Sequence, residues 1–176
     1  MLVHHFLENS AKRLPEKVAL ICDDQRLTYR EINSSADQLA AALFNMGVRR
    51  QDRIVIFLDN SAGSVISLFG ILKAGAIFIM VNPTMKSKKL NYILNDSGAC
   101  TLITQSTKSR IVRTAIDDVP NLRNTIWLGK SNQLPKESPS TITFHLWKEL
   151  FPLTSDLRPL TSDLRPLRGL STWILP

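Results

Sequence analysis

Gly129-Lys130-Ser131 has the Gly-Lys-Ser order that closes a phosphate-binding loop, and it follows the apolar run Thr125-Ile126-Trp127-Leu128. Such a loop needs a second glycine five residues earlier, so that backbone amides can curl around the phosphates, and a helix whose amino terminus faces the anion. Position 124 is Asn, and Asn132-Gln133-Leu134-Pro135 follows where a helix should begin. The glycines at 47, 63, 70, 75, 98, 129 and 169 are all isolated, so the sequence offers no glycine-rich cradle. The match is rejected.

Other chemistry-bearing residues also lack a partner at useful spacing. Asp23-Asp24 and Asp117-Asp118 are adjacent pairs, whose side chains diverge on a strand and which serve turns more often than acid/base catalysis. His4 and His5 are neighbours that a helix points in different directions, which disfavours a two-histidine metal site. They are read as surface or packing residues. His145 stands in a stretch with no period. Cys22 and Cys100 lie far apart without metal-ligand spacing, each bordering an apolar run, as buried free thiols do. A reducing cytoplasm suits such cysteines. No catalytic, cofactor-binding or metal-ligating residue is assigned from the sequence.

The elements that would have to position a site are easier to read. Leu2 to Arg13 has apolar residues at helical spacing, and Val18 to Cys22 reads as a strand that turns at Asp23-Asp24 into a second extended piece around Arg26 and Leu27. Thr28 and Glu31 form the T-x-x-E capping box, followed by Ile32, Ala36, Leu39, Leu43 and Met46 on one face and Gly47 as a stop. A helix over 29–46 is expected. Strands at 53–58, 76–81, 99–104 and 124–128 alternate with helices from Asn60 or Ser61 to Gly75, over 86–95 and near 108–116. This βαβ order builds parallel sheets, so the fold class is α/β: three layers, a mostly parallel sheet flanked by helices.

Composition narrows the class of function. The chain has 176 residues, 44% of them hydrophobic and 21% charged, which suits a globular domain. The net charge of +7 is spread evenly, twelve Lys/Arg against nine Asp/Glu over 1–100 and ten against six thereafter. Lys86, Lys88 and Lys89 form the densest basic run and are read as a solvated helix face; no nucleic-acid partner is expected. Residues 64–81 reach the length of a spanning helix, but Lys73 near the centre would cost about 2.5–3.5 kcal/mol and Gly75 divides the run, so no transmembrane segment is expected.

From about residue 130 the sequence changes character. Ser131 to Thr141 is polar and rich in Ser and Pro, and 130–151 is expected to be linker-like. LTSDLRP then occurs twice, at 153–159 and 160–166. A proline every seventh residue suits neither a helix nor a central strand, and two copies of seven are too few and too short for a solenoid. Residues 152–176 are expected to be poorly ordered.

Leu27-Thr28-Tyr29-Arg30-Glu31-Ile32-Asn33 and Leu72-Lys73-Ala74-Gly75-Ala76-Ile77-Phe78-Ile79-Met80-Val81-Asn82-Pro83 resemble, in wording, order and spacing, the first two core motifs of adenylate-forming enzymes, the superfamily of acyl-CoA synthetases, luciferases and peptide-synthetase adenylation domains. The resemblance covers residues 3 to about 128. The opening residues, Phe57-Leu58-Asp59-Asn60-Ser61 and the Val-Asn-Pro ending are more similar to AMP-forming acyl-CoA ligases, with peptide-synthetase adenylation domains as the alternative. It implies an incomplete amino-terminal subdomain over 1–129, part of a parent that uses ATP, Mg²⁺ and CoA to convert a carboxylic acid to an acyl adenylate and then a thioester. The superfamily's phosphate loop and later motifs are not found in the sequence, so the chain alone is expected to be inactive and to need no cofactor. A separately encoded carboxy-terminal ligase portion is the expected partner, and a non-catalytic binding module the further alternative.

Overall fold

The structure is a computed structural model and describes residues 2–22, 25–129 and 141–150. Its elements are α1 (Val3–Arg13), β1 (Val18–Cys22), β2 (Gln25–Thr28), α2 (Tyr29–Asn45), β3 (Arg53–Phe57), α3 (Ala62–Lys73), β4 (Ile77–Met80), α4 (Ser87–Ser97), β5 (Thr101–Gln105), α5 (Ser109–Ala115), β6 (Asn124–Leu128), β7 (Thr143–Leu146) and α6 (Trp147–Leu150). A 3₁₀ turn, Ser106–Lys108, leads into α5. The sheet carries five parallel strands in the order β4-β3-β5-β6-β7, and β1 and β2 form a separate antiparallel hairpin.

Alternation along the strands makes two cores. Ile54, Ile56, Ile103 and Ile126 face the layer of α1, α2 and α3, with Leu7, Leu39, Leu43 and Ile71 among the buried residues there. Val55, Phe57, Leu102 and Trp127 face the layer of α4 and α5, packing with Leu90, Leu94 and Val112. Central parallel strands covered on both faces read as continuous apolar runs, which is why Arg53–Phe57 shows no polar alternation.

The capping box at Thr28 forms as its spacing requires. The Thr28 amide donates to Glu31 Oε2 at 2.7 Å, and the Glu31 amide donates to Thr28 Oγ1 at 3.2 Å. Ser61, one of the two candidate caps, starts α3: its Oγ accepts from the Ser64 amide at 3.3 Å. Gly75 turns α3 into β4 at φ +73°, a backbone region closed to most side chains. Gly70 lets α3 settle on α2; a Cβ there would stand 2.7 Å from Leu39 Cδ2. The 64–81 segment is thus helix, turn and strand, and no helix among the described residues is long and apolar enough to cross a membrane.

One part of the reading is corrected. Thr143–Leu146, inside the span expected to be linker-like, is the edge strand β7, paired in parallel register with β6 from Asn124↔Thr143 to Trp127↔Leu146. It escaped notice because a four-residue edge strand that is only half-buried carries no apolar run. Residues 130–140, the expected turn at Asp23-Asp24, and the repeat-bearing residues 152–176 lie outside the described residues.

Candidate functional site

The chain passes from β3 outward to β4, then crosses back to β5 on the other side of β3. Open parallel sheets bind ligands where the strand order reverses, in the crevice beyond the carboxyl ends of the strands. Here that crevice lies between the ends of β3 and β5, bordered by Asp59-Asn60-Ser61 and by Gln105 to Lys108.

The rims are tied together by side chains. Lys108 Nζ donates to Asp59 Oδ1 at 2.7 Å and to the Pro83 carbonyl at 2.8 Å, and it stands 5.0 Å from the centre of the Phe57 ring. Gln105 Nε2 donates to Asp59 Oδ2 and to Thr107 Oγ1, both at 2.7 Å, while its Oε1 accepts from the Asp59 amide at 3.0 Å. One lysine therefore joins the loops that follow β3 and β4 to the turn that follows β5. The Lys108 ammonium, then burial in the opposite sense, then Gln105 act on Asp59, and together they hold its carboxyl below the usual carboxylate range. The lysine side chain is only 10% exposed, while that of Asp59 is 56% exposed. The pair is a buried cation with a carboxylate that water can reach.

This arrangement ties together the loops that border the crevice. A carboxylate and a carbonyl take two of the three N–H donors of the Lys108 ammonium, and the Asp59 charge opposes the approach of an external anion. Among the described residues, no group of three His, Cys, Asp or Glu side chains could hold a metal ion. No described side chain is assigned to ATP or Mg²⁺, and no catalytic step is derived through either.

The residues weighed in the sequence are scattered. Gly129 closes β6 at φ +107°, while Lys130 and Ser131 fall outside the described residues. Asp118 is a turn residue at φ +58°, and the carbonyls of Asp117 and Asp118 accept from Asn91 and Asn95. The His4 and His5 rings meet edge to face on α1, 4.6 Å between centres. Burial, opposed by Glu8, holds the His4 imidazole below its ordinary value. His145 sits on β7 with Nε2 3.2 Å from Asn124 Oδ1; burial, opposed by Glu149, lowers its pKa also. Cys100 is buried and Cys22 half-buried, and both are free. Lys86, Lys88 and Lys89 are exposed. Asp59, Gln105 and Lys108 were missed, although polar residues directly after two apolar strands were a usable signal once the strand order was known.

A family model described as AMP-binding enzyme matches residues 7–155. The chain belongs to that family. The match runs past residue 128, so it takes in β7 and α6 as well. Phosphinothricin tripeptide synthetase PhsC of Streptomyces viridochromogenes is 39% identical over 103 residues, 58% of this chain and 10% of that one. Among solved structures, the anthranilate CoA ligase AuaEII in complex with anthranoyl-AMP superposes with a TM-score of 0.76 at 25% identity, over 86% of this chain and 28% of that one. Mycobacterium smegmatis MbtA gives 0.73 at 26%, over 94% and 29%. The chain thus spans under a third of these two solved relatives, and the fold is that of the amino-terminal subdomain of adenylate-forming enzymes.

Proposed function

We propose that this AMP-binding family chain supplies the amino-terminal subdomain of an AMP-forming acyl-CoA synthetase. The parent reaction takes a carboxylic acid, ATP with Mg²⁺, and CoA, and yields an acyl thioester through an acyl adenylate. This chain's share is scaffolding: the parallel sheet, the helices that cover it, and a braced crevice at the β3/β5 reversal. The observation that carries the reading is the superposition on a CoA ligase over 86% of this chain. A reducing, cytoplasmic setting goes with it, in keeping with the free cysteines.

A second reading is favoured by a different observation. Identity to a peptide synthetase reaches 39%, above the 25% to the CoA ligase, which supports the first part of a peptide-synthetase adenylation domain. Both readings share carboxylate activation and differ in the acid and the acceptor thiol. Acid-dependent exchange of pyrophosphate into ATP, measured on the purified chain and on whatever copurifies with it, separates them. Exchange with fatty or aromatic acids, followed by CoA thioester formation, supports the first reading; exchange with amino acids and no use of CoA supports the second. Thioester formation by the isolated chain would overturn the scaffolding role.

A further inference from the structure

Helix α1 carries apolar side chains on the face it turns to water. Leu7 points inward, into the core shared with α2 and α3. With about 100° between successive residues, Leu2, Phe6, Asn9 and Arg13 lie on the opposite arc, and Val3 flanks them. Leu2 is 60% exposed, Val3 58% and Phe6 60%. Single exposed apolar residues are ordinary on a protein surface, as Tyr92 is on α4 beside the exposed Lys88, Lys89 and Asp96. Three within little more than one turn of α1 form a patch. The charges around that patch are sorted by sign. Lys12 and Arg13 in the last turn are exposed, as is Lys17, whose amide donates to the Leu14 carbonyl at 3.1 Å just past the helix end. None of the ion pairs among the described residues involves these three cations. The nearby acids are taken up elsewhere: Glu8 turns inward to Lys73 at 3.3 Å, and Glu16 pairs with Arg30.

We propose that the outer arc of α1 is a docking surface for a bilayer that carries anionic phospholipid. Leu2, Val3 and Phe6 enter the boundary between headgroups and acyl chains, while Lys12, Arg13 and Lys17 lie against the headgroup phosphates. Charge decides between the possible occupants. An apolar groove on another protein would take the three apolar side chains but give three unpaired cations no role, and an acidic peptide would do the reverse. A second copy would set these cations against their own equivalents, in a chain of net charge +7, which opposes self-association. An anionic bilayer surface meets both halves of the pattern, since apolar side chains and lysine or arginine on one short helix are what holds a helix in the plane of the interface. The helix is ready for this without rearrangement, because Leu7 and the Glu8–Lys73 pair already fix its inner face to the core. Its 11 residues are too few to span a bilayer, and three apolar side chains give reversible attachment.

The test is flotation of the full 176-residue chain with vesicles of equal parts phosphatidylglycerol and phosphatidylcholine, set against vesicles of phosphatidylcholine alone. The expected result is binding to the anionic vesicles at least about tenfold tighter than to the neutral ones, weakened by added salt. Phe6→Ser should weaken it at least about tenfold, and Arg13→Gln, at an exposed position that supplies a second reading, about fivefold. Both variants should keep the wild-type circular dichroism, and Lys88→Gln on α4 should bind as the wild type does. No binding to the anionic vesicles, equal binding to both kinds, or indifference to Phe6→Ser and Arg13→Gln would each overturn the proposal. A loss with Lys88→Gln as large as with Arg13→Gln would overturn it too, by showing that net charge alone attracts the chain. Self-association of the wild type in light scattering that Phe6→Ser abolishes would give the arc to a second copy instead.

Discussion

Lys73 and Lys108 are both nearly buried, at 7% and 10% side-chain exposure, and both are held by carboxylates, yet they serve opposite ends of the sheet. Lys73 lies just before the β4 start, where its Nζ meets Asp37 at 2.6 Å, Asn33 at 2.9 Å and Glu8 at 3.3 Å. It locks α1 and α2 to α3 and so belongs to the helical layer. Lys108 lies beyond the carboxyl end of β5, where it has one carboxylate, one carbonyl and an aromatic face, and locks loops rather than helices. The same residue type thus holds the scaffold at one end and shapes the crevice at the other. The difference follows from what each ammonium reaches: side chains of two neighbouring helices for Lys73, and a loop carboxylate and a loop carbonyl for Lys108.

If that contrast holds, packing beneath Lys73 should matter most. Leu39→Ala empties a fully buried site against Gly70 and should cost about 2–5 kcal/mol in urea unfolding. A cost under 1 kcal/mol would mean that the α2/α3 layer relaxes freely, and would remove the reason for treating Lys73 as part of a rigid layer.

Next in size is the direct comparison. Lys73→Met leaves two carboxylates without their cation, Glu8 at 33% exposure and Asp37 at 51%, and should cost roughly 2 kcal/mol; Lys108→Met leaves one, Asp59 at 56%, and should cost roughly 1 kcal/mol. Hydrogen exchange should localise them differently, faster in α1 for Lys73→Met and faster at 59–61 and 82–84 for Lys108→Met. Equal costs with the same exchange pattern would erase the distinction between the two ends.

The smallest effect is on pH dependence. His4, beside Glu8 on α1, has a folded value below its unfolded one near 6.5, so the unfolded chain takes the proton first. Acidification through about 6.5 and below should therefore loosen the Lys73 end, by less than about 1.4 kcal/mol per pH unit, the limit for one proton. Asp59 is depressed below 3.8, so its contribution is complete above that value and is lost only as pH falls through the lower folded one. The Lys108 rim should stay intact while α1 frays. His145 titrates in the same direction as His4, so the test compares His4→Gln with His145→Gln; α1 exchange that still rises from pH 7 to 5 in His4→Gln would assign the effect elsewhere.

Local rules made much of the fold legible in the sequence. The Thr28–Glu31 box, Gly47 as a stop and Gly75 as a turn act within a few residues, and βαβ order follows from short connections. Strand β7 was not legible, because Thr143-Phe144-His145-Leu146 is short, half-buried and without a run to mark it. Lys73 was visible as a charge that a membrane span would not tolerate, but Asn33 and Asp37 lie 40 and 36 residues away, and nothing local names them. The crevice was the least legible part. Asp59, Gln105 and Lys108 meet across separations of 46 and 49 residues, and only the reversal of strand order between β3 and β5 brings them together.

The central claim is that this chain holds the family's amino-terminal scaffold, and that the Lys108 ammonium in its crevice is committed to Asp59 and the Pro83 carbonyl rather than to a nucleotide. Calorimetric titration of ATP with Mg²⁺ into the purified 176-residue chain tests it most directly. No saturable heat up to millimolar ATP is expected, while magnesium-dependent binding at micromolar ATP, abolished by Lys108→Met, would contradict it.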